Sequence, residues 1–341
     1  MKKPKNIKYL VVGAGSIGTR HLKNLLALGA CHVEVCEPSE ASRQKLGEWF
    51  QGPVHSRLAA ALESKPDAAL ITTPTHLHTP AAIECARAGC HLFIEKPLSH
   101  EMKDLNRLRN LIDRKQLICL VGCNMRFHPG LVLLKRCIEE DRIGKVWGVR
   151  MQFGHYLPNW RPGRDFRQTY SVRGDQGGGV ILDCIHELDY ARWFFGHVVS
   201  AVAYAPKTSI LGINVEENVN IVLSTRHNAW IEIHLDYLQK AYQRRCSVFG
   251  EWGALEWDWQ IPGVRWFNAR TKVWKHLGSD IHFETNDMYL SEMRHFLRCL
   301  CKNEEPIQNL KRAAEVLCLA LNLKKSLKTM KMVPVRYGSW F

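Results

Sequence analysis

From residue 7 to about residue 122 the chain alternates short β-branched runs with stretches whose apolar positions recur at helical spacing. The runs are Ile7–Val12, His32–Glu37, Ala68–Thr72, His91–Glu95 and Ile118–Val121; between them, Ile17–Leu28, Thr79–Ala88 and His100–Arg114 carry the helical pattern. This alternation is the signature of βαβ units and predicts a parallel, doubly wound sheet. Beyond Val121 the texture changes. A helical stretch at Leu131–Glu139 precedes long alternating segments, clearest at Ala229–Tyr237, where Ile231, Ile233 and Leu235 fall on one face and Glu232, His234 and Asp236 on the other. That period of two predicts an antiparallel strand with one wet face. Further strands are expected at Lys145–Phe153, Asn218–Ser224, Arg245–Phe249, Ala254–Trp259 and Gly263–Phe267, and two closing helices at Asp287–Cys301 and Leu310–Leu327. The fold class is therefore α/β: residues 1–122 form a doubly wound parallel sheet, and residues 123–341 an α+β domain on a large, mainly antiparallel sheet.

The length of 341 residues agrees with two domains at roughly 150 residues each, and two domains invite a cleft. Hydrophobic residues at 46% and charged residues at 23% exclude a disordered or fibrous chain. No apolar stretch approaches the roughly 18 residues of a membrane span. Lys2, Lys3, Lys5 and Lys8 stand before a run too short for a signal peptide, since Tyr9–Val12 passes directly into glycines. The twelve cysteines are dispersed, with no Cys-x-x-Cys pair, which fits a reducing cytoplasm and argues against structural zinc. The formal charge of +14 attracts anions, but the basic residues are scattered and no nucleic-acid motif appears. A phosphate-bearing cofactor or substrate explains the charge as well as a plain basic surface does. Trp252, Trp257 and Trp259 belong either to the core or to a contact between subunits.

Gly13-Ala14-Gly15-Ser16-Ile17-Gly18 follows the first strand and opens the first helix. In that context the first glycine permits the turn, the second lets the backbone approach a pyrophosphate, and the third lets helix and strand pack closely. Glu37, at the end of the second strand, is placed to bind ribose hydroxyls, which favours NAD; NADP remains open, because Ser39 and Arg43 follow closely. The same pattern serves S-adenosylmethionine enzymes, so redox chemistry needs support elsewhere.

That support is Glu95-Lys96-Pro97 after the fifth run and Thr72-Thr73-Pro74-Thr75-His76-Leu77-His78 after the fourth. With the glycine loop, these residues resemble the Gfo/Idh/MocA family of nicotinamide-dependent oxidoreductases. Gly177–His186 resembles the family's second-domain active-site helix, and Asp287–Val335 its closing helices. The resemblance implies a Rossmann domain whose cofactor contacts include Gly13, Gly15, Ser16, Ile17, Gly18, Glu37, Thr73, Pro74, His78, Glu95, Lys96 and Asn124, and a cis Lys96–Pro97 bond. Lys96 would stabilise the alkoxide that forms as hydride leaves a secondary alcohol. His186 would move the proton and Asp183 would orient the imidazole or hold substrate; three apart, they share a face if one helix carries both. The chain departs from the family here, where the histidine more often lies four residues after the aspartate.

Gly154–Gly174 is long, without period, and rich in aromatic and arginine residues, which suits a sugar ring bearing a carboxylate or phosphate. Tyr156, Trp160, Arg161, Arg164 and Tyr170, with Arg126, Asp183 and His186, are the expected substrate contacts; a subunit-contact arm is the competing reading. The expected activity is hydride transfer to or from a sugar carbon, the sugar being an anionic sugar or nucleotide sugar of surface-glycan synthesis. The alternatives are a lyase or glycosidase that oxidises its sugar transiently, and a non-enzymatic nucleotide and sugar sensor. No metal, nucleic acid or membrane partner is expected, and a homodimer or homotetramer through the C-terminal sheet is.

Overall fold

The computed structural model describes residues 6–226 and 229–338. Two compact units are present: one combines the chain up to Asn124 with Thr285–Ala314, the other combines Met125–Glu284 with the chain from Glu315. The first contains β1 (Lys8–Val12), α1 (Ser16–Ala27), β2 (His32–Cys36), α2 (Glu40–Gly47), β3 (Val54–His55), α3 (Leu58–Leu62), β4 (Ala68–Ile71), α4 (His78–Ala88), β5 (His91–Glu95), α5 (Leu105–Lys115) and β6 (Cys119–Gly122). Among the described residues the six strands form one parallel sheet in the order β3-β2-β1-β4-β5-β6, the expected doubly wound architecture. The order reverses between β1 and β4, and ligands of such sheets bind beyond the carboxyl ends of the strands at that switch. Pattern reading began α5 five residues early: Asp104 takes a left-handed φ of 59°, and the helix starts only after it.

The second domain was expected to hold everything after residue 122, but α9 (Thr285–Lys302) belongs with the first unit. The reason is packing. Met293, Phe296, Leu297 and Cys299 join Tyr9, Leu22, Leu25 and Phe93 in one buried cluster, so the helix covers a face of the parallel sheet.

The second unit contains α6 (Pro129–Glu139), β7 (Val146–Gly154), α7 (Val180–Asp183), α8 (His186–Phe195), β8 (Val198–Tyr204), β9 (Asn218–Thr225), β10 (Trp230–Asp236), β11 (Gln243–Gly250), β12 (Gly253–Asp258), β13 (Ile261–Asn268) and β14 (Val273–Leu277). With β15 (Val333–Pro334), which follows α10 (Leu310–Thr329), they form a nine-stranded sheet among the described residues, in the order β14-β13-β12-β11-β7-β10-β9-β8-β15. It is antiparallel except where β10 runs parallel to β7. Ile231, Ile233 and Leu235 are buried as their alternation requires, together with Val149, Met151 and Phe153 of β7. Among the outward positions, Glu232 is exposed, whereas Asp236 is buried because it accepts the Leu238 and Gln239 amides at 2.7 Å each. The three tryptophans divide: Trp257 is buried, Trp259 half-buried and Trp252 exposed.

His128 caps α6, its Nδ1 accepting the Gly130 amide at 3.0 Å, with Pro129 at the first helical position. Its ring meets Phe283 and Trp257 edge-on, at 4.4 and 4.9 Å between centroids. Burial, helped by the nearby Arg244 charge, pushes its pKa down to about 3. The unfolded chain therefore takes up this proton first as the medium acidifies. The stabilising contribution is complete above pH 6.5 and is lost as pH falls from 6.5 towards 3, at up to about 1.4 kcal/mol per pH unit. We expect urea midpoints to fall more steeply between pH 6.5 and pH 4 in the native protein than in His128→Asn, which keeps a capping acceptor but does not titrate. Equal slopes would remove His128 as the cause.

Candidate active site

The glycine loop folds as its residues require. Gly13 has φ of +96°, and a Cβ at Gly18 would lie 1.9 Å from the Gly13 carbonyl oxygen, so α1 crosses the strand end at a separation only glycine permits. A Cβ at Gly15 would meet no protein atom within 4 Å. Gly15 is also the N-cap of α1 and supplies no side-chain cap, so the first-turn amides of Ser16, Ile17 and Gly18 face an approachable space. Glu37 stands beside this loop, its carboxylate accepting the Ala14 amide at 2.7 Å and the Ser39 amide at 2.8 Å. Arg43, the residue that was to admit a 2′-phosphate, instead donates to the carbonyls of Glu37 and Pro38. A helix N-terminus open to a pyrophosphate with a carboxylate at its lip fits a dinucleotide bearing a free ribose diol.

Beyond β5 the Lys96–Pro97 peptide is cis, as the resemblance implied. Lys96 itself is half-buried. Its backbone amide donates to Glu95 Oε2 at 3.0 Å, and Glu95 Oε1 meets His21 Nε2 of α1 at 2.6 Å. Burial works to raise the Glu95 carboxyl; the His21 hydrogen bond and the nearby His21, Lys96 and His78 charges outweigh it and hold the group below the ordinary glutamate value. His78 lies on the other side of the turn, its Nδ1 2.9 Å from the Pro97 carbonyl and its Nε2 2.8 Å from the Thr73 carbonyl. Burial lowers its pKa, opposed by those two carbonyls and Glu95. Both residues were expected to touch the cofactor. They are buried and engaged by the protein, and what they hold is the Lys96 turn and the Thr73–Pro74 loop, which is half-exposed at Thr73 and exposed at Pro74. Asn124, another expected contact of this unit, is buried two residues beyond β6, where it opens a 3-10 turn.

In the second unit, Asp183 and His186 do not share one helix. α7 ends at Asp183, Cys184 leaves helical geometry at φ −99° and ψ 35°, and α8 begins at His186. The Asp183 carboxylate accepts the phenols of Tyr170 at 2.8 Å and Tyr237 at 3.0 Å. Burial and the neighbouring Asp183 charge push both phenols well above the ordinary tyrosine value, so each keeps the proton it donates. His186 stays buried at the α8 N-terminus. The next two acids of that helix are also matched: Arg244 donates to both Glu187 oxygens at 2.6 and 3.1 Å, and Arg126 donates to both Asp189 oxygens at 2.8 and 2.9 Å. Arg126 was expected to meet substrate; it is buried and anchors α8 instead.

The aperiodic segment after β7 forms four short 3-10 turns at Leu157–Asn159, Phe166–Gln168, Tyr170–Val172 and Gly174–Gln176. Trp160 packs edge-on against Tyr237 at 5.3 Å, Arg161 lies over the Tyr170 ring at 5.1 Å, and Lys240 lies over Tyr156 at 5.8 Å. Tyr156, Trp160, Arg161 and Tyr170 are half-buried and Arg164 is exposed. This brings Trp160, Arg161 and Tyr170 together around Asp183. Sequence reading missed Tyr237, His21 and the acids Glu187 and Asp189. Tyr237 ends the clearest alternating stretch on its apolar face, after Ile231, Ile233 and Leu235, and a hydroxyl-bearing aromatic at that position is a signal that could have been followed.

Residues 7–123 match the model of the oxidoreductase family with an NAD-binding Rossmann fold, and residues 131–256 match the GFO/IDH/MocA C-terminal domain. The myo-inositol 2-dehydrogenase of Thermotoga maritima is 27% identical over 95% of this chain and 97% of its own. A probable dehydrogenase structure from Thermotoga maritima superposes with a TM-score of 0.79 at 25% identity, covering 96% of this chain and 99% of its own. The WlbA dehydrogenase of Bordetella pertussis, solved with NADH and UDP-GlcNAcA, shares the fold with a TM-score of 0.82 at 22% identity over 98% and 99%. Matched in both its halves, with its cofactor-binding half carrying an NAD-binding Rossmann fold, the chain belongs to the Gfo/Idh/MocA oxidoreductase family.

Proposed function

We propose that this protein is an NAD-dependent dehydrogenase of a sugar or polyol, and more narrowly of an anionic sugar or nucleotide sugar. The observation that carries the reading is the Lys96 turn. A half-buried lysine immediately beyond β5 has its amide held by Glu95 and the following carbonyl held by His78, in a domain of the NAD-binding family.

NAD, held by the α1 N-terminus, the glycine loop and Glu37, accepts or returns a hydride when bound. The rest of the reaction falls to the chain. The Lys96 ammonium stabilises negative charge on the substrate oxygen as the carbonyl forms, a fixed charge aimed where charge develops. His186 moves the hydroxyl proton. Asp183, with both carboxylate oxygens already accepting phenols, retains lone pairs for a substrate hydroxyl and fixes Tyr170 and Tyr237 around it. Arg161 and Arg164 supply the charge that an acidic or phosphorylated sugar requires, and Trp160 and Tyr170 supply flat faces for its ring. The inositol dehydrogenase among the relatives and the UDP-GlcNAcA complex among the structural neighbours support this substrate range.

The outward face of the large sheet supports self-association. Trp230 and Phe249 are exposed on it, Trp252 is exposed in the turn between β11 and β12, and the Phe249 ring lies across Gly148 in the register that also pairs Gly148 with Trp230. Apolar area of this kind, rimmed by the Arg150–Glu232 and Arg245–Asp258 pairs, is typical of a contact between copies.

Titration of tryptophan fluorescence should show NADH binding more tightly than NADPH, and Glu37→Ala should abolish that preference; an unchanged preference would remove Glu37 as the selector. Screening myo-inositol, uronic acids and UDP-linked uronic acids for NADH formation should give turnover with the acidic members. Lys96→Met should then lower kcat by about 10²- to 10³-fold with little change in NADH affinity. Full turnover in that variant defeats the lysine's role, and product formation without net NADH marks transient oxidation instead.

A further inference from the structure

Behind the Lys96 turn lies a buried group for which the reaction itself has no use. His21, on α1, is fully buried, and its ring rests edge-on against Phe93 at 4.9 Å and Tyr289 at 5.9 Å. Its Nε2 meets Glu95, and its buried Nδ1 has no hydrogen-bond partner among the described residues. Glu95 is held ionised and can only accept, so Nε2 is the donor. The charged and titratable groups around this pair are Glu292 and Tyr289 of α9, His78 of α4 and Lys96 itself, with Arg20 of α1 over the Tyr289 ring at 4.5 Å. His21, Glu95 and Glu292 place their polar atoms within 4.8 Å of one another, all buried.

We propose that His21 is a positioning residue for Lys96, acting through Glu95. The imidazole fixes one carboxylate oxygen, the other oxygen receives the Lys96 amide, and the lysine therefore leaves β5 in a direction set from the far side of the sheet end. A fully buried histidine whose Nε2 lies 2.6 Å from a carboxylate oxygen has its ring orientation constrained by that contact. The same arrangement ties the glycine-loop helix to the Lys96 turn, because His21 lies one turn beyond Gly18 on α1. The inference rests on the reading of Lys96 as the group that acts on substrate, and its test is independent of any substrate.

The full-length protein labelled with ¹⁵N-lysine gives one amide resonance per lysine, and Lys96 is assigned by its loss in Lys96→Arg. His21→Leu and His21→Asn remove the reach to Glu95 in two different ways; His21→Gln keeps a donor of similar length. In both of the first two variants the Lys96 amide should shift upfield and exchange with solvent about tenfold faster, while distant lysines such as Lys135 stay in place and NADH still binds. His21→Gln should restore the native resonance. If the Lys96 amide is unmoved in either His21→Leu or His21→Asn while NADH binding is retained, the proposal is overturned. So it is if all lysine amides move together, which marks general loosening. Turnover then separates the two readings: full activity in Lys96→Arg or Lys96→Met defeats the catalytic role of the lysine and leaves the amide result standing. A moved amide with kcat lowered and KM retained in His21→Asn joins the two.

Discussion

A carboxylate removed from water must find donors, and in the first unit Glu95 is the one whose donors decide the rest. Its two oxygens connect α1 with the backbone of the Lys96 turn, so the helix that opens on the cofactor loop and the loop that presents the lysine share one buried anchor. Leaving such a group unmatched costs several kcal/mol, far more than the pair is worth relative to water. The asymmetry gives the anchor its stiffness: other arrangements of the Lys96 turn are penalised by the loss, and the native one needs no large gain to dominate.

The second unit applies the same constraint three times within seven residues. Asp183, Glu187 and Asp189 are all buried, and each has a different kind of donor: two phenols, one arginine from β11 and one arginine from the segment before α6. Removing one partner from pairs like Arg244–Glu187 typically costs about 3–5 kcal/mol, because a bare charge remains. Burial alone would lower the Arg244 pKa, but the Glu187 charge outweighs it and raises it, so the pair stays ionic. His186 sits among these acids on a helix start that is fixed from both sides.

How much of this was legible follows from period. The parallel sheet, the glycine loop and Glu37 were readable because strand and helix periods alternate cleanly there and because close approach admits only glycine at position 18. The strands β8 and β14 escaped notice: β8 follows α8 with little alternation, and β14 is almost wholly exposed and so carries no buried face to announce it. α9 was readable as a helix but not as part of the first unit, since its apolar stripe states that it packs and not on what. The site residues divide in the same way. Lys96, Asp183 and His186 stood out by motif, whereas Tyr237, which donates to Asp183, and His21, which meets Glu95, lie 54 and 74 residues away, and nothing in the local sequence pairs them.

The same division separates motif from burial among the expected contacts. Arg126, Glu95 and His78 are polar residues in motif positions, and motif reading assigns them to ligand. Burial assigns them to the protein: a polar side chain with every strong contact made internally shapes a site without touching what enters it. The groups left half-buried or exposed are Lys96, Thr73 and Pro74 in one unit and Arg161, Arg164, Tyr156 and Trp160 in the other. The arm of 3-10 turns is held in part by ring and cation contacts, Arg161 over Tyr170 and Trp160 against Tyr237, whereas Asp183, Glu187 and Asp189 are immobilised by buried hydrogen bonds and charge.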